Sequence, residues 1–265
     1  MPKSKDEELT IIGAESPEII DNGMSNHNGS IVITGLKQDS FEHLIKKYGD
    51  EFTSISLFKC PLISDFTPIE GLKKIKSLSI FWNQRAVCLW DLSKNSQLTH
   101  IELDDFTRIH SLNDLATTTS LEIIKFGDKV WDSLVIDTLS PLKDIQTLKT
   151  LSFSAKKIED KSLSAIAHIP NLVEVDFPIN LFTTEQVAWL TARIGDKVKS
   201  SILKPTIASS HPYESNGKVI DTYIIGKRKP SLDSNKDKVR IDKYIANFET
   251  IVDRFRKNVS EAEPI

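Results

Sequence analysis

Residues 52–83 read FTSISLFKCPLISDFTPIEGLKKIKSLSIFWN, which holds two copies of an apolar triplet spaced L-x-x-L-x-L: Phe52, Ile55 and Leu57, then Ile75, Leu78 and Ile80. The triplet returns as Leu98/Ile101/Leu103, Leu121/Ile124/Phe126, Leu148/Leu151/Phe153 and Leu172/Val175/Phe177, stepping by 23, 23, 23, 27 and 24 residues in every column. A short strand with its return segment cannot bury its apolar face alone and is covered only by like neighbours. Six copies in step therefore predict an α/β solenoid with parallel strands on a concave face and turns or short helices on the convex face.

The flanks divide around this array. Residues 1–29 are polar and aperiodic and are expected to form a flexible N-terminal arm. Residues 30–51 offer a strand at Ile31, Val32 and Ile33 and a helix with Phe41, Leu44, Ile45 and Tyr48 on one face, a unit suited to capping an open solenoid end. Residues 52–182 carry the six repeats, and 183–265 a C-terminal cap. In that cap Thr183 or Thr184 starts a helix bearing Val187, Trp189, Leu190 and Ile194, and a polar stretch at 209–218 precedes a strand at 219–226. A long helix from about 235 to 258 follows, with Ile241, Ile245, Phe248, Val252 and Phe255 on one stripe.

The triplets followed by a turn, an acid and S-P-L at 140–142 resemble the bacterial leucine-rich repeat family of the internalin-like type, and the chain is similar to uncharacterised cytosolic bacterial proteins built from such repeats. The resemblance covers roughly residues 31–195 and implies a capped leucine-rich repeat solenoid. Where the family places an Asn that satisfies backbone groups in the turn, this chain holds Cys60, Asn83, Phe106, Lys129, Lys156 and Asn180, so the ladder is expected to break in the middle repeats.

Composition narrows the function. Residues 1–196 carry 20 Lys/Arg against 28 Asp/Glu, and residues 197–258 carry 14 against 7, so an acidic body meets a basic C-terminal segment. No window approaches the roughly 18 apolar residues of a membrane span, and the start lacks a secretory core, so a cytoplasmic protein is expected. The six His and two Cys show no metal-ligand spacing, and no phosphate loop, G-x-S-x-G or G-x-G-x-x-G occurs. These readings point to no enzyme, no cofactor and no metal.

Residues between the leucines on each strand should face outward from the concave sheet. Columns extended along that face bring together Phe58, Phe81 and Trp82 beside His100, Glu102, Asp104, Asp105, Lys125 and Asp128, with Trp131 on the insertion that lengthens the fourth interval. An aromatic patch beside acids suits a protein partner with an apolar anchor and a basic rim. The sequence thus predicts a non-catalytic protein-interaction module, monomeric or paired through the last helix. Two alternatives are an immunity or inhibitor protein neutralising a toxin or enzyme, and a regulatory subunit whose basic segment, with Lys227, Arg228 and Lys229, meets nucleic acid or an anionic surface. Nucleic acid is disfavoured because that segment lacks stacking aromatics.

Overall fold

The computed structural model describes residues 8–128 and 130–265. Its main feature is an eight-stranded parallel sheet. In spatial order the strands are β1 (Leu9–Ile11), β2 (Ser30–Thr34), β3 (Ser54–Phe58), β4 (Ser77–Asn83), β5 (His100–Phe106), β6 (Ile123–Gly127), β8 (Thr150–Ser154) and β10 (Glu174–Asp176). Register follows the triplet columns: Ile31 pairs with Ile55, Ile55 with Leu78, Leu78 with Ile101, Ile101 with Ile124, Ile124 with Leu151, and Leu151 with Val175. Every apolar member of a column is therefore covered by its counterpart one repeat away, and all six triplets are buried. The chain is an α/β leucine-rich repeat solenoid.

The return segments are short because each has only to reverse direction and cover one layer of side chains. Four are 3-10 turns, Thr67–Gly71, Leu92–Lys94, Asn113–Thr117 and Ser140–Asp144, and the fifth is α3 (Ser164–Ala167). Pro68 and Pro141 start two of them, where a missing amide N–H goes unneeded. Ile69, Leu92, Leu115, Leu142 and Ile166 close the core from that side. Aromatic packing continues through the later repeats, with Phe153 stacked on Phe126 and tilted against Phe177, each at a centroid spacing of 5.4 Å.

The turn ladder is patchy, and other side chains take over part of it. Asn83 Nδ2 donates to the carbonyls of Cys60 and Ile63, and its Oδ1 accepts from the amides of Arg85 and Ala86. Phe106 is simply buried, Asn180 is exposed, and Lys129 lies outside the described residues. On the opposite corner Asn95 bonds the carbonyls of Ile69 and Leu72 and accepts from the Trp90 indole. Ser120 and Thr147 continue the pattern by donating to the carbonyls of Leu98 and Leu121.

The N-terminal segment corrects the expectation of a flexible arm within its described part. Leu9 and Ile11 form β1 against Ile31 and Ile33 of β2, and α1 (Pro17–Gly23) buries Ile20. The Asp21 carboxylate ties α1 to α2 (Gln38–Tyr48), accepting from His43, Lys47 and Tyr48 at 2.7–2.8 Å. These three bonds, that of His43 foremost, hold its pKa well below the usual carboxylate range. The segment escaped the reading because a three-residue strand and a two-turn helix show no sustained period.

At the other end α4 (Thr184–Ile194) opens with a capping box between Thr183 and Gln186. Most of the polar stretch at 209–218 is a strand, β11 (Thr206–Ser215), antiparallel to β12 (Lys218–Ile224), which also pairs with β13 (Ser231–Leu232). Most side chains of β11 are exposed, so it carries no apolar signal. Phe248, Val252 and Phe255 of α5 (Lys238–Lys257) join the main core, and Ile241 packs with Ile224 and Leu232. The apolar stripe of α5 is thus covered within the chain. Residues beyond α5 fold back: Glu263 accepts from Ser162 Oγ, from the amides of Leu163 and Ser164 and from Gln186 Nε2, at 2.6–3.0 Å. Among the described residues no helix is long and apolar enough to cross a membrane.

Candidate partner-binding face

The outward residues of β3 and β4 are small, namely Ser54, Ser56, Ser77 and Ser79, and all are partly exposed. They leave a flat floor that bulky groups of a partner can approach. At the C-terminal edge of this floor Phe58 pairs with Phe81, their rings stacked at 4.8 Å with planes 12° apart. Phe58 is 38% exposed, a large fraction for an aromatic in a packed array. Lys59 Nζ lies 5.3 Å from the Phe58 centroid and 6.0 Å from that of Trp82, so a cation joins the three rings into one patch. The Trp82 Nε1 is shielded and, among the described residues, has no hydrogen-bond partner.

Beside the aromatics, Glu102 and Asp104 lie half-buried on β5, Asp104 in register with Phe81 and Glu102 with Ser79. Lys125 of β6 is in register with Glu102. The next strand approaches closely at Gly127, where an added Cβ would lie 2.6 Å from the Ser154 carbonyl oxygen. His100 stands at the opposite end of β5 from Asp104. Its imidazole Nε2 is shielded and, among the described residues, without a hydrogen-bond partner, and burial, then the Lys125 charge, lowers its pKa.

Two expected face residues are turned inward. Lys59, Trp82 and Asp105 share a left-handed backbone, φ 55°, 63° and 57°, one repeat apart. This column ends the in-out alternation, so residues beyond it do not follow strand parity. Asp105 is buried and accepts from the Val130 amide. Asp128 is also buried and organises the insertion loop, accepting from the amides of Trp131, Ser133 and Leu134 and from the Ser133 hydroxyl. Burial opposes its ionisation, yet the bonds from Ser133, Trp131 and Leu134 prevail and hold its pKa low. These two acids are structural and cannot present charge to a partner. Trp131 is 56% exposed on that loop, apart from the sheet.

The structure thus brings Phe58, Phe81, Trp82, Glu102, Asp104 and Lys125 onto one face, buries Asp105 and Asp128 beneath it, places His100 at the start of β5 and puts Trp131 on the insertion loop. Sequence reasoning passed over a polar hollow of about 460 Å³ at the far end of the sheet, where Lys125, Ser152, Glu174 and Asp176 meet Ser200 and Ser201. The outward columns already contained Glu174 and Asp176, but Ser200 and Ser201 reach the sheet only because Lys199 adds a bridge beside Glu174.

No family model and no curated protein matches the chain. Solved structures similar to it include two internalins of Listeria monocytogenes. For the internalin inlF the identity is 19% and the TM-score 0.45, over 62% of this chain and 44% of that one. For internalin C2 they are 26% and 0.41, over 57% of this chain and 65% of that one. The chain therefore spans less than two thirds of either. Its own strand register, one apolar column repeated across six strands, is what makes it a leucine-rich repeat solenoid.

Proposed function

We propose that this protein is a non-catalytic interaction module that binds a protein partner through the concave sheet. The observation that carries the reading is the stacked pair Phe58 and Phe81 with Trp82, lying at the edge of a serine floor and flanked by Glu102 and Asp104. Phe58 is exposed and Phe81 and Trp82 are half-buried, and aromatics that touch one another supply a large, rigid apolar contact, while aromatic anchors buried on binding dominate interface energies. The adjacent acids favour a partner whose rim is basic, for which they speed encounter more than they hold the complex.

Hydrogen–deuterium exchange of the full chain with and without a bound partner tests this placement. Protection concentrated in β3–β5 supports it. Protection confined to the convex turns Thr67–Gly71 and Ser140–Asp144 removes it.

A further inference from the structure

A cleft of about 370 Å³ opens on the other side of the strand corner, between the parallel pair β7 (Val135–Ile136) and β9 (Lys157–Ile158) and the start of the C-terminal cap. Its walls include Val135, Ile158, Leu181 and Phe182. Its volume falls within the range of small-molecule sites, roughly 300–1,000 Å³.

Four lysines, Lys156, Lys157, Lys161 and Lys227, border this apolar interior. Three of them lie in the segment 156–161 and Lys227 comes from the C-terminal part of the chain, and backbone bonds hold Lys156, Lys161 and Lys227 in place. The Lys156 amide donates to the Leu134 carbonyl, the Lys161 carbonyl accepts from Gln186 Nε2, and the Lys227 amide donates to the Phe182 carbonyl. Gly226 makes the last possible: an added Cβ would lie 2.1 Å from Thr184 Oγ1, so only glycine lets the Lys227 backbone come this near to α4.

Like charges gathered over apolar walls repel one another unless an anion offsets them. Lys157 has Glu159 at 2.6 Å, but among the described residues Lys156, Lys161 and Lys227 form no ion pair. The neighbouring carboxylate, Glu263, spends itself on Ser162, Leu163, Ser164 and Gln186. Two residues on, the exposed aliphatic side chain of Ile265 lines the same cleft, so its rim accepts an apolar group.

We propose that this cleft binds a small amphiphilic anion, a carboxylate or phosphate monoester on an apolar body. The body rests on Val135, Ile158 and Phe182, and the charge is met by Lys156, Lys161 and Lys227. The site is independent of the concave face.

The test uses the full chain and the fluorescent aryl sulfonate 8-anilinonaphthalene-1-sulfonate as reporter, with octanoate, octyl phosphate and octanol as competitors. The proposal expects one reporter site per chain, displaced by octanoate or octyl phosphate at concentrations at least tenfold below octanol; whichever anion displaces it at the lower concentration identifies the head group. Changing Lys156→Glu together with Lys227→Glu should weaken reporter binding at least tenfold with an unaltered circular-dichroism spectrum, and Lys143→Glu on the Ser140–Asp144 turn should change nothing. If the double Glu variant does not fold, the double Gln variant is expected to lose at least threefold. Reporter affinity unchanged by the variant that folds, or octanol competing as well as the anions, overturns the proposal.

Discussion

Phe58 and Phe81 stack face to face across β3 and β4 with centroids 4.8 Å apart, which is the spacing of neighbouring strands in a sheet. Two aromatics one repeat apart in the same column must meet in this way once the strands are parallel and in register. The stack should therefore contribute as a pair. In a double-mutant cycle with Phe58→Ala and Phe81→Ala, we expect a coupling of about 0.5–1.5 kcal/mol in unfolding free energy. Strict additivity of the two substitutions in denaturant titrations would show the rings do not touch in solution.

Asp128 supplies the second prediction. Asp128→Ala leaves the amides of Trp131, Ser133 and Leu134 without their acceptor and should lower stability by about 1–3 kcal/mol. Because its folded pKa lies below the ordinary carboxyl value, its contribution is present above that value and disappears as pH falls through the folded one. The gap between wild type and Asp128→Ala in urea titrations should accordingly be full at neutral pH and narrow below about pH 4. A gap that widens on acidification would contradict the hydrogen bonding described.

Leu103 sits in the middle of the sheet, nearly inaccessible, with Ile80 and Phe126 on either side. Leu103→Asp loses roughly 1.5–3 kcal/mol of burial and adds the larger penalty of an unpaired buried charge. The thermal midpoint should drop by ten degrees or more, or the protein should fail to fold. A melt within a degree or two of wild type would remove Leu103 from the core.

The two cysteines should react very differently. Cys60 is buried, and desolvation pushes its thiol up to about 11, so little thiolate exists at neutral pH. Cys88 is exposed. Native protein should release one equivalent of thionitrobenzoate promptly from Ellman's reagent and two after denaturation; two prompt equivalents in the native state would show that Cys60 is accessible.

The sheet was legible because its information is redundant: six copies of three columns leave one register in which Ile55, Leu78, Ile101, Ile124, Leu151 and Val175 all face inward. The site was legible only as far as strand parity holds. Phe58, Phe81 and Asp104 obey it, whereas Asp105 lies on the left-handed corner and Asp128 just past β6, where alternation no longer assigns a face. An Asp there is an acceptor for turn amides, the work expected of Asn in the ladder. β1 and β11 were hidden for another reason: one is three residues long, and the other buries too little for a period-two pattern to appear. The lysine-bordered cleft joins residues 156–161 to Lys227, a long-range meeting that no local pattern encodes.

The most direct test of the concave-face account compares a bound protein partner's affinity for wild type, Trp82→Ala and Lys143→Glu by surface plasmon resonance. Trp82 is half-buried beside Lys59 in the aromatic patch, and Lys143 is exposed on a convex turn. The account predicts that Trp82→Ala costs about 2 kcal/mol of binding, close to thirtyfold in Kd, and that Lys143→Glu binds as wild type does. Equal affinity for wild type and Trp82→Ala, or a larger loss for Lys143→Glu, would contradict it.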